Sequence, residues 1–117
     1  TQTLTINVTN VKDAWIQRGA DIDGEAEGDA MGYGMSLSND KDTFIAGTPL
    51  NDGNGTSSGH TRIFGWNGSA WVQRGSDIDG EEDAEQSGYS LSISSDGHTL
   101  AIGSILDDGN VRIYDWK

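Results

Sequence analysis

Residues 14–54 read AWIQRGADIDGEAEGDAMGYGMSLSNDKDTFIAGTPLNDGN, and residues 70–110 read AWVQRGSDIDGEEDAEQSGYSLSISSDGHTLAIGSILDDGN. Laid over one another at a constant offset of 56, the two stretches share 21 identities in 41 positions without a gap. The chain is therefore built on an internal repeat. Beyond the aligned block the first copy carries GTSSGH before TRIFGW, whereas the second goes straight to VRIYDW, a difference of six residues. An insertion tolerated there marks a surface connection. The organisation expected is an extension over residues 1–12, a first repeat over 13–68 and a second over 69–117.

The local pattern is β throughout. In GYGMSLS, Tyr33, Met35 and Leu37 fall on one face and Gly34, Ser36 and Ser38 on the other. The second copy repeats this with Tyr89, Leu91 and Ile93 against Ser90, Ser92 and Ser94. That alternation is the period of a strand. TFIAG and TLAIG are short, nearly continuous apolar runs, as expected of strands covered on both faces. Asn67-Gly68 lies between RIFGW and AWVQRG, and this pair accepts positive φ at both central positions of a tight hairpin turn. One proline and 17 glycines suit a turn-rich sheet protein, and no stretch reads as a helix. Each repeat thus supplies four strand types, giving an all-β chain of two tandem four-stranded antiparallel units of propeller-blade type.

The order of the strands is out of step with the repeat. TQTLTINVTNV at the front alternates Leu4, Ile6 and Val8 with polar residues and reads as an extra N-terminal strand. WIQRG follows it without the inner strands of its own unit, and the second copy stops after VRIYDWK without a WVQRG strand. A surplus strand at the front and an open edge at the back are complementary, since an unpaired edge is a template for another chain. The expectation is a structural protein that assembles with copies of itself by strand exchange, into a ring if the contact closes and a filament if it does not. The alternative is a piece of a larger ligand-binding or adhesion protein.

Composition narrows the partners. With 19 acidic and 7 basic residues the net charge is −12, which opposes binding to nucleic acid and to anionic membrane surfaces. No apolar run approaches a membrane span and no signal peptide is read, so membrane insertion is not expected. Cysteine is absent, which removes disulfides, thiolate metal sites and cysteine nucleophiles. Both histidines break the repeat: His60 belongs to the insertion, and His98 stands at a turn where the first copy has Asp42. Neither has a sequence neighbour that makes a nucleophile and base pair, and no phosphate-binding glycine loop is present, so no catalytic residue is assigned and an enzyme is not expected.

The candidate site residues are acidic. Asp21, Asp23, Glu25, Glu27 and Asp29 alternate in the first copy, and Asp77, Asp79, Glu81, Asp83 and Glu85 take the matching places in the second. Hard cations such as calcium take six to eight oxygens, and an Asp-x-Asp-Gly turn supplies several from one loop. The metal-ligand candidates are Asp21, Asp23, Glu25, Asp29, Asp77, Asp79, Glu81 and Glu85. The competing reading is a solvated acidic connection without any cofactor. Gln17 with Arg18 and Gln73 with Arg74 are expected to pair with neighbouring carboxylates. Trp15 and Trp71, like Trp66 and Trp116, occupy equivalent positions, as packing elements do; glycan contact is the other use of such rings. Three glycosylation sequons begin at Asn7, Asn54 and Asn67, with Asn54 favoured by its glycine- and serine-rich loop. Glycans there would go with an extracellular or cell-surface location, where surface proteins or glycans are further partners.

The elements GYGMSLSNDKDTFIAGTPLNDGNG and GYSLSISSDGHTLAIGS resemble the FG-GAP class of repeats of integrin-type propellers. The resemblance spans residues 15–116 and rests on Gly-Tyr, Ser-x-Ser, Asp-Gly and Ile-Gly recurring in order. It implies a propeller-type fold and roles in adhesion, ligand binding or scaffolding. Some such repeats bind calcium through three acidic positions before a glycine. This chain has two before Gly24 and two before Gly80.

Overall fold

The computed structural model describes residues 14–106 and 109–117. The expected N-terminal strand with Leu4, Ile6 and Val8, and the sequon at Asn7, lie outside the described residues. The remainder is all-β. β1 (Gly34–Leu37), β2 (Thr43–Thr48), β3 (His60–Trp66) and β4 (Trp71–Gln73) form an antiparallel sheet in that order, and a short β5 (Ile78–Asp79) also pairs with β3. β6 (Ser90–Ile93), β7 (Thr99–Ser104) and β8 (Asn110–Asp115) form a second antiparallel sheet. The four strand types of the repeat are present, but the second sheet has three strands rather than four. The reason is connectivity: the first sheet takes β4 from the second copy, and among the described residues nothing occupies the equivalent place beside β8.

Tight connections set the register. β3 and β4 close a hairpin in which Trp66 faces Trp71. Gly68 has φ +107° whereas Asn67 keeps a negative φ; Asn67 instead accepts hydrogen bonds at its Oδ1 from the Ser69 and Ala70 N–H groups. The side chain, not a left-handed backbone, makes asparagine suit this turn. Between β1 and β2, Ser38 Oγ donates to Asp40 Oδ1 at 2.6 Å, and Ser94 repeats the bond to Asp96 at 2.7 Å. The residue directly after each serine's acid partner differs: Lys41 holds φ +68° where the second copy has Gly97 at +77°. Glycine relieves the strain that a side chain suffers in that region.

The first sheet meets the second through β6, and the packed face of the first sheet is not the one its apolar alternation suggests. Gly34 and Ser36 of β1 turn toward β6, with Ser36 Oγ accepting from the Ile93 N–H at 3.3 Å. A Cβ at Gly47 would collide with the Gly88 carbonyl oxygen, and the Cα of Gly47 lies 2.9 Å from where a Gly88 Cβ would stand. Backbone meets backbone across the sheets, which only glycine at both positions allows. Met35 and Leu37 therefore point away from the second sheet and are 61% and 50% exposed. β2 is covered on both faces as expected, with Ile45 and Ala46 buried; β7 is covered fully only at Ile102 and Ser104.

The apolar core among the described residues is Ile45, Ala46, Ile63 and Ile102. Among the described residues eleven large apolar side chains remain exposed, including Trp15, Ile16, Val111, Ile113 and Trp116. A soluble unit rarely leaves so much apolar surface unpartnered. Gly47→Ala should destabilise the fold by about 2 kcal/mol through overpacking at the sheet contact. Gly103→Ala, whose nearest neighbour is the movable Ser90 Oγ, should cost less than half of that. Urea denaturation compares them, and equal midpoints for the two variants would contradict the backbone contact.

Candidate functional site

Two arginines at the same place in the repeat organise the acidic segments. Arg62 on β3 and Arg112 on β8 come from TRIFGW and VRIYDW. The Arg62 Nε and Nη2 grip Asp77 at 2.8 and 3.0 Å, and Nη2 also reaches Glu25 at 3.0 Å. Arg112 donates from Nη2 to Glu81 at 2.9 Å and from Nη1 to Glu85. Glu25 and Glu81 are equivalent positions, so each arginine holds the acidic loop of its own repeat. Arg62 does one thing more: it binds Asp77, which lies between the two strands β4 and β5 that the following copy adds to the first sheet.

Burial divides the acids. Asp29 and Glu85 occupy matching positions and are 6% and 1% exposed, so the connection is not solvated as a whole. Asn51 Nδ2 donates to Asp29 at 2.8 Å and to Glu25 at 2.9 Å. Glu85 accepts from the N–H groups of Glu81 and Glu82 and from the Ser104 hydroxyl at 3.0 Å. Burial alone would raise the Glu85 pKa, but the bonds from Arg112, the Glu81 N–H and Ser104 outweigh it and hold the carboxyl below its ordinary value. Asn51, then Arg62, lower the Glu25 pKa, and the Arg62 hydrogen bond lowers that of Asp77.

The insertion loop is part of this packing. Ser58 is fully buried, and the N–H groups of Gly80 and Ser87 donate to the carbonyls of Gly59 and Ser58 at 2.8 and 2.9 Å. The surface connection read from the six extra residues is thus corrected at its end: Ser58 and Gly59 are clamped against the second copy's acidic segment, and His60 is the first residue of β3 rather than a loop residue, 1% exposed. Its Nδ1 lies 3.8 Å from Asp77 and 3.9 Å from Asp79. Asn54, in the same loop, donates its Nδ2 to the Gly80 carbonyl at 2.9 Å, so the nitrogen that would carry a glycan is already bonded. Asn67 stands exposed in its hairpin.

Of the metal candidates, the structure gathers Glu25 and Asp77 with His60, whose ligand atoms lie within 4.8 Å of one another. The Arg62 guanidinium bridges both carboxylates and supplies the positive charge that a cation would. Glu81 and Glu85 meet at Arg112 instead. Asp21 accepts from Gln17 Nε2 at 2.7 Å, as Asp77 accepts from Gln73 Nε2 at 2.6 Å. Asp21 and Asp23 are exposed and line a cavity of about 470 Å³ with Met35, Phe44 and Trp71. The eight candidates therefore do not form one ligand set. Sequence reading missed Arg62, Arg112 and Asn51; the recurrence of arginine in TRIFGW and VRIYDW was the available signal.

The donor segment itself is half in place. Residues 14–24 form no strand, which corrects the reading of WIQRG as one: a strand needs an edge to pair with, and none lies beside it among the described residues. Arg18 is held by the Lys41 carbonyl and by Asp42 at 3.3 Å, and its guanidinium lies 4.9 and 4.8 Å from the Trp66 and Trp71 ring centres. The residues just before it, Trp15 and Ile16, are 103% and 66% exposed. Arg74 likewise approaches the Trp116 ring at 5.8 Å, so the tryptophans serve partly as seats for the repeated arginines.

No family model matches the chain, and no curated protein or solved structure matches it either.

Glu85→Ala should cost about 2–4 kcal/mol, because it strands two loop N–H groups and the Ser104 hydroxyl and removes one of the two carboxylates on Arg112; Glu82→Ala, at an exposed position, should cost less than 0.5 kcal/mol. Chemical denaturation measures both. Because the folded pKa values of Glu25, Asp77 and Glu85 are lowered, their stabilisation is complete above the unfolded carboxylate values of about 4 and is lost as pH falls through the lower folded values. The melting temperature should hold from pH 7 to about 5 and drop below about 4.

Proposed function

We propose that the chain is a non-enzymatic structural repeat protein of the extracellular space or cell surface, which assembles head to tail with copies of itself by strand exchange into a filament or ring. The observation that carries this reading is the origin of β4. The first sheet is completed by a strand from the next copy, while residues 15–17, the equivalent segment at the front, stand exposed. The outer edge of β8 has no strand beside it among the described residues. The exposed apolar side chains Trp15, Ile16, Val111 and Ile113 lie on these two ends and give the exchange a hydrophobic drive. Such a contact is heterologous, so it propagates. The propeller-type resemblance is compatible with it, each sheet serving as one blade.

The high acidic charge works against crowding of like chains, and it leaves salt to set the balance through screening. Light scattering after size-exclusion chromatography should find species larger than the 12.5 kDa monomer, growing with concentration and with moderate salt. A chain beginning at Arg18 keeps the contacts with Trp66 and Trp71 but lacks the donor strand; it should be monomeric with a nearly unchanged melt. A full chain that remains monodisperse and monomeric up to millimolar concentration would sink this reading.

A further inference from the structure

We propose that Arg112 and the outer edge of β8 form a receptor for residues 15–23 of a second copy of this chain, with the incoming Asp21 carboxylate seated on the Arg112 guanidinium. The inference rests on the assembly reading and fixes its register and its anchoring residue.

The molecule contains the precedent. Along β3, Gln73, Val72 and Trp71 pair with Phe64, Gly65 and Trp66, and Asp79 and Ile78 pair with His60 and Thr61. Between these two short ladders Asp77 reaches back to Arg62. Moving the acceptor forward by 50 residues and the donor back by 56 gives the second contact. Gln17, Ile16 and Trp15 of the incoming copy lie against Tyr114, Asp115 and Trp116, Asp23 and Ile22 against Asn110 and Val111, and Asp21 against Arg112.

Both halves of this contact are prepared. On the donor side, the Gln17 to Asp21 hydrogen bond at 2.7 Å reproduces the Gln73 to Asp77 bond at 2.6 Å, so the carboxylate is already oriented by its own segment. On the acceptor side, Arg112 uses Nη1 and Nη2 for Glu85 and Glu81. Its Nε has no partner among the described residues, whereas the Arg62 Nε donates to Asp77 at 2.8 Å. An arginine fork offering Nε together with one Nη matches a carboxylate in bidentate fashion. Val111 and Ile113, 68% and 62% exposed on β8, then gain cover from the incoming strand. The occupant is specified by sequence: Trp-x-Gln-Arg-Gly-x-Asp-Ile-Asp occurs at residues 15–23 and 71–79, and the latter is already committed to β3.

Because the chain has no cysteine, disulfide trapping reads the register directly. Ile16→Cys and Asp115→Cys proteins, mixed under mild oxidation, should form a mixed disulfide dimer at least about tenfold faster than Ile16→Cys mixed with Val111→Cys, since only directly opposed positions meet the Cβ spacing of a disulfide. Asp21→Asn, at an exposed site, should weaken association about tenfold with an unchanged monomer melt. Association of Asp21→Asn at wild-type strength, or equal trapping of both cysteine pairs, overturns the receptor while leaving assembly intact. A wild-type chain that never associates overturns the assembly reading and the receptor with it.

Discussion

A β-strand at the edge of a sheet leaves a row of N–H and C=O groups without partners, and this chain meets that requirement from outside the repeat that creates it. β3 ends the first copy, yet its outer edge is satisfied by Trp71–Gln73 and Ile78–Asp79, which belong to the second. The covalent repeat and the hydrogen-bonded sheet are out of phase. One consequence is that the two copies cannot separate without opening a sheet. Another is that the same demand recurs along the outer edge of β8, which pairs with no further strand among the described residues.

The acidic loops follow from this phase shift. Asp21 and Asp77 each stand directly before an Ile-Asp-Gly turn, and in the first sheet Asp77 ends on Arg62. The arginine joins its own loop, through Glu25, to the next copy's strand, through Asp77. It thereby acts as a clamp across the boundary between repeats. Buried Glu85 and Asp29 add a second set of bonds beneath the surface, and their cost of burial is met by N–H, hydroxyl and amide donors rather than by charge alone. A strongly negative chain can hold these segments close because each cluster has its own donor.

Packing between the sheets obeys a different constraint. Gly34 and Gly47 clear a path for the Gly88–Tyr89 backbone, so the sheets approach at the level of main chain rather than of large side chains. This sends Met35 and Leu37 to the opposite face, where Met35 borders a cavity shared with Gln17, Arg18 and Ile22. The paired tyrosine hydroxyls of Tyr33 and Tyr89, 2.9 Å apart, mark the line along which equivalent positions of the two copies meet.

Much of this was legible in the residues alone. Strand alternation, turn serines and asparagines and the offset of 56 are properties of local chain geometry, which short-range sterics and periodicity dictate. Which face of β1 is buried was not legible, because glycine and serine look like an exposed face until another backbone is seen to need the room. The pairing of Arg62 with Asp77 and Glu25, the burial of Glu85 and His60, and the division of eight candidate acids into separate clusters were likewise decided only in three dimensions. These contacts join residues 15 to 37 positions apart, and sequence spacing carries no information about distance once the chain has turned back on itself.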